Sequence, residues 1–172
     1  MACGANQHLK KTHRPEGVGL FTGGLLKKTE QAHSPSEMTT KSILCVEDGQ
    51  DDILLLRLAL KAAKVECHLE IVPDIETAQA YLGGQREYSD RARYPWPSLV
   101  LSDLTLPGGS GLQLVEWIRR QHSREVLPVI IMTGSADEEA WKRAQAAGAD
   151  YCVPKSAGFQ EAVEKIRVLL DG

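Results

Sequence analysis

Three acids, a hydroxyl and an amine stand along this chain just after short apolar runs. Glu47-Asp48 follow residues 42–46, Asp103 follows 98–102, Thr133-Gly134-Ser135 follow 128–132, and Lys155 follows Tyr151-Cys152-Val153-Pro154. Carboxylates brought close together repel and raise one another's pKa unless a cation holds them. Hard oxygen donors suit Mg2+, which takes one or two carboxylates and keeps waters that phosphate oxygens can replace. Lys155 would add a fixed positive charge and Thr133 a hydroxyl donor. Such a set describes a site that accepts a phosphoryl group, with a carboxylate as nucleophile. Each residue alone has a plainer reading: a turn at Glu47-Asp48 or Asp103, a helix cap at Thr133, a solvated loop residue at Lys155. Four coincidences at one sheet edge are far less expected than one.

The elements between these residues decide whether they meet. Ile43-Leu44-Cys45-Val46, 98–102 and 128–132 are short apolar runs suited to buried strands, and Cys67–Val72 alternates like a strand with one wetter face. Asp52 reads as the cap of a helix running from Ile53 to about Lys64, and Asp74 opens a helix that Gly83-Gly84 stops. Gly111 leads into a helix with Leu114, Val115 and Ile118 on one face. Asp137-Glu138-Glu139 place negative charge where the next helix begins, and Phe159, Ala162, Ile166 and Leu169 keep helical spacing to the end. Five strands alternating with five helices specify an α/β fold, a doubly wound five-stranded parallel sheet of the flavodoxin-like (βα)5 type. Ligands of such sheets collect at the carboxyl ends of the strands.

Residues 1–42 hold six Lys or Arg against three acids, while the remaining chain holds 14 basic and 20 acidic residues. The first stretch is poor in apolar residues, so residues 1–41 are expected to form a mobile basic extension and 42–172 the folded domain. Met38 stands where a natural start would, and translation is expected to be able to begin there. The overall net charge of −3 gives no sign of a nucleic-acid partner. No apolar run approaches the roughly 20 residues of a bilayer span. Four scattered cysteines without a C-x-x-C pair speak against a zinc module or a disulfide scaffold. With no secretory leader, cytoplasmic residence is the expectation.

Residues 43–170 resemble the receiver domain of two-component response regulators. The resemblance rests on Val46-Glu47-Asp48, on 101–107 (LSDLTLP), on Ile131-Met132-Thr133-Gly134-Ser135 and on 148–155 (GADYCVPK). Thirty residues separate Asp103 from Thr133, and 22 separate Thr133 from Lys155, as in that family. The resemblance implies that Asp103 accepts a phosphoryl group from a sensor histidine kinase. It implies that Asp48, Asp103 and the Thr105 backbone carbonyl bind Mg2+ or Mn2+, with Glu47 reaching the ion through water. Lys155 and Thr133 would contact phosphoryl oxygens, Gly134 would leave room for the phosphodonor, and Thr105 and Ser135 would tune the lifetime of the phosphorylated state.

Two positions depart from the family pattern. Cys152 stands where an aromatic switch residue is usual, with Tyr151 one place earlier, and Ser156 replaces the usual proline after Lys155. Either Tyr151 substitutes as the switch or another element carries the output; the second is preferred. Without proline, a cis peptide at 156 is not expected. Cys152 reads as a small buried hydrophobe sooner than as a redox sensor. The connection 83–97 is long, and a similar extension occurs in single-domain receivers resembling phytochrome-associated regulators, whose pattern Asp51-Asp52 also suits. Its Arg86, Arg91, Arg93, Tyr88, Tyr94 and Trp96 read equally as a partner surface or as a loop pinned by Trp96.

The resulting expectation is a stand-alone receiver that is no enzyme toward external substrates. It would take its signal from a histidine kinase, of phytochrome type by resemblance. It would pass that signal to a downstream protein or phosphotransfer partner, with a homodimer through the 136–170 face. Only Asp171-Gly172 follow the last helix, so no output domain is expected there. Two rivals remain: a binding-only pseudo-receiver, and a Mg2+-dependent phosphatase resembling the haloacid dehalogenases. The phosphatases want an acid two residues after the nucleophile, where this chain has Thr105.

Overall fold

Successive residues of the strands face opposite sides of the sheet and divide the apolar residues between two cores. In the computed structural model, which describes residues 41–134, 138–155 and 159–171, Leu44 and Val46 face one side of a sheet while Ile43 and Cys45 face the other. This period of two follows from the pleat of a strand covered on both faces.

Five strands form that sheet: β1 (Lys41–Val46), β2 (Cys67–Val72), β3 (Leu99–Asp103), β6 (Val129–Thr133) and β7 (Tyr151–Pro154). They run parallel in the order β2-β1-β3-β6-β7, as the α/β reading expects. A two-stranded hairpin of β4 (Thr105–Leu106) and β5 (Gly109–Ser110), which the sequence did not suggest, follows Asp103. The helices are α1 (Gln50–Ala62), α2 (Ile75–Leu82), α3 (Gly111–Arg119), α4 (Glu138–Ala147) and α5 (Gln160–Asp171). One core joins Leu44, Val46 and Val100 to Tyr81 of α2, Ile118 of α3 and Ala144 of α4. The other joins Ile43, Cys45 and Leu101 to Leu56 and Leu60 of α1 and Val163 and Ile166 of α5.

Local chemistry sets the helix starts. Asp74 caps α2 by accepting from the Thr77 N–H at 2.7 Å, as expected. Ser110 and Gln113 form a reciprocal capping box at α3. The start of α1 differs from expectation. Gly49 is its cap, without a side-chain bond, and Asp52 lies inside the first turn. The Asp52 carboxylate has a distant partner in place of the local N–H groups.

Gly111 lies where an added Cβ would collide with the Asp103 backbone carbonyl, so the hairpin can fold tightly onto the end of β3. At the opposite edge of the sheet, Asp150 ties α3 to β6. It accepts from Arg119 Nη2 and from the Val129 N–H, both at 2.8 Å. The long connection 83–97 is also built. A 3-10 turn spans Arg86–Ser89, and Tyr81, Tyr88 and Tyr94 pack as a ring cluster with centroids 5.0 to 6.2 Å apart. Arg91 bonds the Leu82 and Tyr94 carbonyls and lies over the Tyr81 and Trp96 rings. Among the described residues, no helix is long and apolar enough to cross a membrane.

Candidate phosphoryl-acceptor site

Strand register brings the reactive residues to one edge. Val46 pairs with Ser102, Asp103 with Met132, and Thr133 with Pro154, so Glu47, Asp103, Thr133 and Lys155 all lie at the carboxyl ends of their strands. The Glu47 N–H continues the ladder to the Val72 carbonyl, and the Leu104 N–H does so to the Met132 carbonyl. These bonds hold the backbone just beyond β1 and β3 in place.

The centre of the site is the Lys155 ammonium. It lies 2.6 Å from Glu47 Oε2, 2.7 Å from Asp52 Oδ2 and 2.8 Å from Asp103 Oδ2. An ammonium has three N–H donors, so the three carboxylates satisfy it fully. Glu47 is fixed on its other side too, its Oε1 accepting from the Gly49 N–H at 2.9 Å. Burial pushes the Glu47 pKa up, against the pull of Lys155 and of the Gly49 N–H. Burial works the other way on Lys155, but its hydrogen bonds to Asp103, Asp52 and Glu47 outweigh it and hold the pKa above the ordinary lysine value.

Of the residues singled out in the sequence, the structure joins Glu47, Asp103 and Lys155 within hydrogen-bonding distance. Thr133 is buried at the end of β6, on the same edge. Asp48 is exposed beside Glu47. Thr105 opens the hairpin with its side chain exposed, next to Leu104, whose carbonyl accepts from the Gly111 N–H and Ser110 Oγ. Among the described residues, nothing beyond its chain neighbours lies within 4 Å of where a Cβ on Gly134 would be, at the end of β6. Ser135, Asp137 and Ser156 lie outside the described residues.

Asp52 is the residue the sequence reading missed. It sits 103 positions from Lys155, and the helix-start reading accounted for its type without any tertiary partner.

Consecutive residues of β7 face opposite sides of the sheet. Cys152 packs toward the core under α2, α3 and α4. Tyr151 packs toward the α1 and α5 core, with Lys165 Nζ 5.2 Å from its ring centre. The two positions therefore do not replace each other on one face. Burial, and then the nearby Glu161 charge, push the Cys152 thiol pKa up, which suits a small apolar filler better than a reactive thiolate.

Among the described residues, no three His, Cys, Asp or Glu side chains surround a common cation site. The acids converge on an ammonium instead. Their chemistry nonetheless fits a divalent cation: all are hard oxygen donors, and this corner is already organised around positive charge.

The response regulator receiver domain family matches residues 43–167. Over 76 residues the chain is 37% identical to the phosphate regulon transcriptional regulatory protein PhoB of Klebsiella pneumoniae, covering 44% of this chain and 33% of that one. It thus spans about a third of that relative's length. Response regulator Rcp1 of Synechocystis is 34% identical over 99 residues, covering 58% of this chain and 65% of Rcp1. The crystal structure of the Mn2+-bound form of Rcp1 superposes with a TM-score of 0.62 at 29% identity, over 74% of this chain and 91% of that one. Response regulator RPA3017, from red light signaling of R. palustris, superposes with a TM-score of 0.66 at 30% identity, over 75% and 90% of the two chains. With most of the folded region matched and the strand-end acids and lysine gathered on one edge, the chain belongs to the response regulator receiver domain family of two-component signalling.

Proposed function

We propose that the chain is a phosphorylation-controlled switch in which Asp103 accepts a phosphoryl group from the phosphohistidine of a sensor kinase. The observation that carries this reading is the Lys155 ammonium held 2.8 Å from Asp103 Oδ2 at the carboxyl end of a parallel sheet. That contact sets a positive charge beside the carboxylate to which the phosphoryl group would be attached.

In the step itself, an Asp103 carboxylate oxygen attacks phosphorus as the P–N bond breaks. The electron pair leaves on the imidazole nitrogen, and an acyl phosphate remains on Asp103. Lys155 neutralises phosphoryl oxygen charge, and the Thr133 hydroxyl donates to one of the oxygens. Gly134, lacking a side chain, would leave room for the donor. Asp48, Asp103 and the Thr105 carbonyl would hold Mg2+ or Mn2+, with Glu47 acting through water. Bound there, the ion would supply further neutralisation of the equatorial oxygens. By the family resemblance, Thr105 and Ser135 would tune how long the acyl phosphate lasts.

The red light signaling of RPA3017 supports a phytochrome-type kinase as the donor. The output goes to a protein or phosphotransfer partner, with the 136–170 face as a dimer surface on which Trp141 is about half exposed. The expected boundary at 41/42 moves by one residue, since Lys41 opens β1, and residues 1–40 are assigned to an extension that precedes the folded domain.

Incubation with acetyl phosphate and Mg2+ should add one phosphate mass to the intact protein. Asp103→Asn should remove that adduct. Persistent labelling at another residue overturns the assignment.

A further inference from the structure

Lys155 has no N–H to spare. Its three donors are taken by Glu47, Asp52 and Asp103, so any phosphoryl oxygen that Lys155 is to receive must displace one of the three. The three are not equally easy to release. Glu47 is 2% exposed, and its second oxygen is held by the Gly49 N–H. Released from Lys155, it would keep a buried charge with no direct cationic partner. Asp103 is 12% exposed and carries the incoming group itself. Asp52 is 33% exposed, in the first turn of α1, and can pass from the ammonium into water with little loss.

We propose that Asp52 is a positioning residue that holds the Lys155 ammonium in readiness and yields its place to the phosphoryl oxygen when Asp103 is phosphorylated. The inference rests on the function proposed above and extends it to a residue that reading does not use. It also gives the phosphorylated site a mechanical link that bypasses β7. Asp52 belongs to α1, so breaking its contact with Lys155 frees the first turn of that helix from the site. Cys152 has no ring to swing, and Tyr151 faces the other core. The α1 turn is then a route out of the site that needs neither residue.

The test measures beryllofluoride affinity, as a phosphoryl mimic, by calorimetry on the full chain at saturating Mg2+. Asp52→Asn keeps the shape of the side chain but weakens its hold on Lys155, and Asp52→Ala removes that hold. Each should bind the mimic about threefold more tightly than the parent, the gain expected from giving up a part-exposed ion pair. Asp51→Asn removes an equal charge one residue away and should leave the affinity as it is. A purely structural role for Asp52 would weaken binding. In amide NMR spectra of the parent, Asp51, Asp52 and Ile53 should shift when the mimic binds, and in Asp52→Ala much less. Unchanged or weaker binding in both Asp52 variants overturns the proposal, as does equal tightening by Asp51→Asn, which would mark a general field effect. A parent chain that takes no beryllofluoride overturns both this proposal and the phosphoryl-acceptor reading. A parent that binds it, with no gain in either Asp52 variant, overturns the role of Asp52 alone.

Discussion

The strand-end site and the segment between α2 and β3 are both polar in composition, yet they are held together by opposite means. At the site, three carboxylates share one ammonium, and the surrounding backbone is fixed by the ladders of four strands. Between α2 and β3 there is no ladder. Tyr81 is fully buried and anchors Tyr88 and Tyr94 by ring contacts, its hydroxyl donates to the Pro95 carbonyl at 2.7 Å, and Arg91 closes the end over Trp96. The first region takes its geometry from the sheet and uses its side chains for charge. The second takes its geometry from its own side chains. Substitutions at the site should therefore alter chemistry more than stability, and substitutions in the aromatic segment should do the reverse.

The sharpest separation should come from Tyr81→Ala. It empties a fully buried ring site and should destabilise the protein by about 4 kcal/mol in urea unfolding. Molecules that remain folded should still be labelled on Asp103 by acetyl phosphate. Loss of labelling in step with the folded fraction fits this division; loss well beyond it would show that the segment reaches the site. Lys155→Met should come next. It leaves Glu47, Asp52 and Asp103 crowded without their cation and should destabilise the metal-free protein by about 2 kcal/mol, less than a wholly buried pair would. Millimolar Mg2+ should restore more than half of that loss in thermal melts. Failure of the ion to do so would count against the acids as its ligands.

The two regions were also unequally legible in the sequence. A buried parallel strand is a short apolar run, and its end is where polar residues resume. Glu47, Asp103, Thr133 and Lys155 could therefore be placed on one edge from spacing alone. Asp52 could not, because an acid just before an apolar helical run has a sufficient local explanation. Its actual partner lies across the fold, and the register of β1, β3, β6 and β7 is needed to bring Lys155 over α1. The aromatic segment was legible only as length and residue type. Tyr81, Tyr88 and Tyr94 follow no helical or strand period. Their contacts depend on the chain reversing at Gly84, whose φ of +61° suits glycine, and on Arg91 bonding back to the Leu82 carbonyl. Asp150 was read as part of a motif, whereas its work in joining Arg119 to the start of β6 depends on α3 and β6 being neighbours.

Tyr81→Phe isolates one bond of the aromatic segment. The ring stays and the hydroxyl bond to the Pro95 carbonyl goes, so the stability loss should fall to about 1 kcal/mol. A loss close to that of Tyr81→Ala would mean that the hydroxyl, and not the ring cluster, organises the segment.

The smallest change in stability should come from the substitution that does most to the chemistry. Asp103→Asn removes one charge from a crowded acidic group and leaves an amide oxygen able to accept from Lys155. Glu47 and Asp52 keep the ammonium neutralised. The lost attraction to Lys155 and the relieved repulsion among the carboxylates act in opposite directions, so unfolding free energy should stay within about 0.5 kcal/mol of the parent. Acetyl phosphate labelling should vanish in the same sample. A large destabilisation would show that Asp103 is a structural member of the ion cluster as well as its acceptor, and the proposed division between a site held by the sheet and a segment held by its rings would fail at its centre.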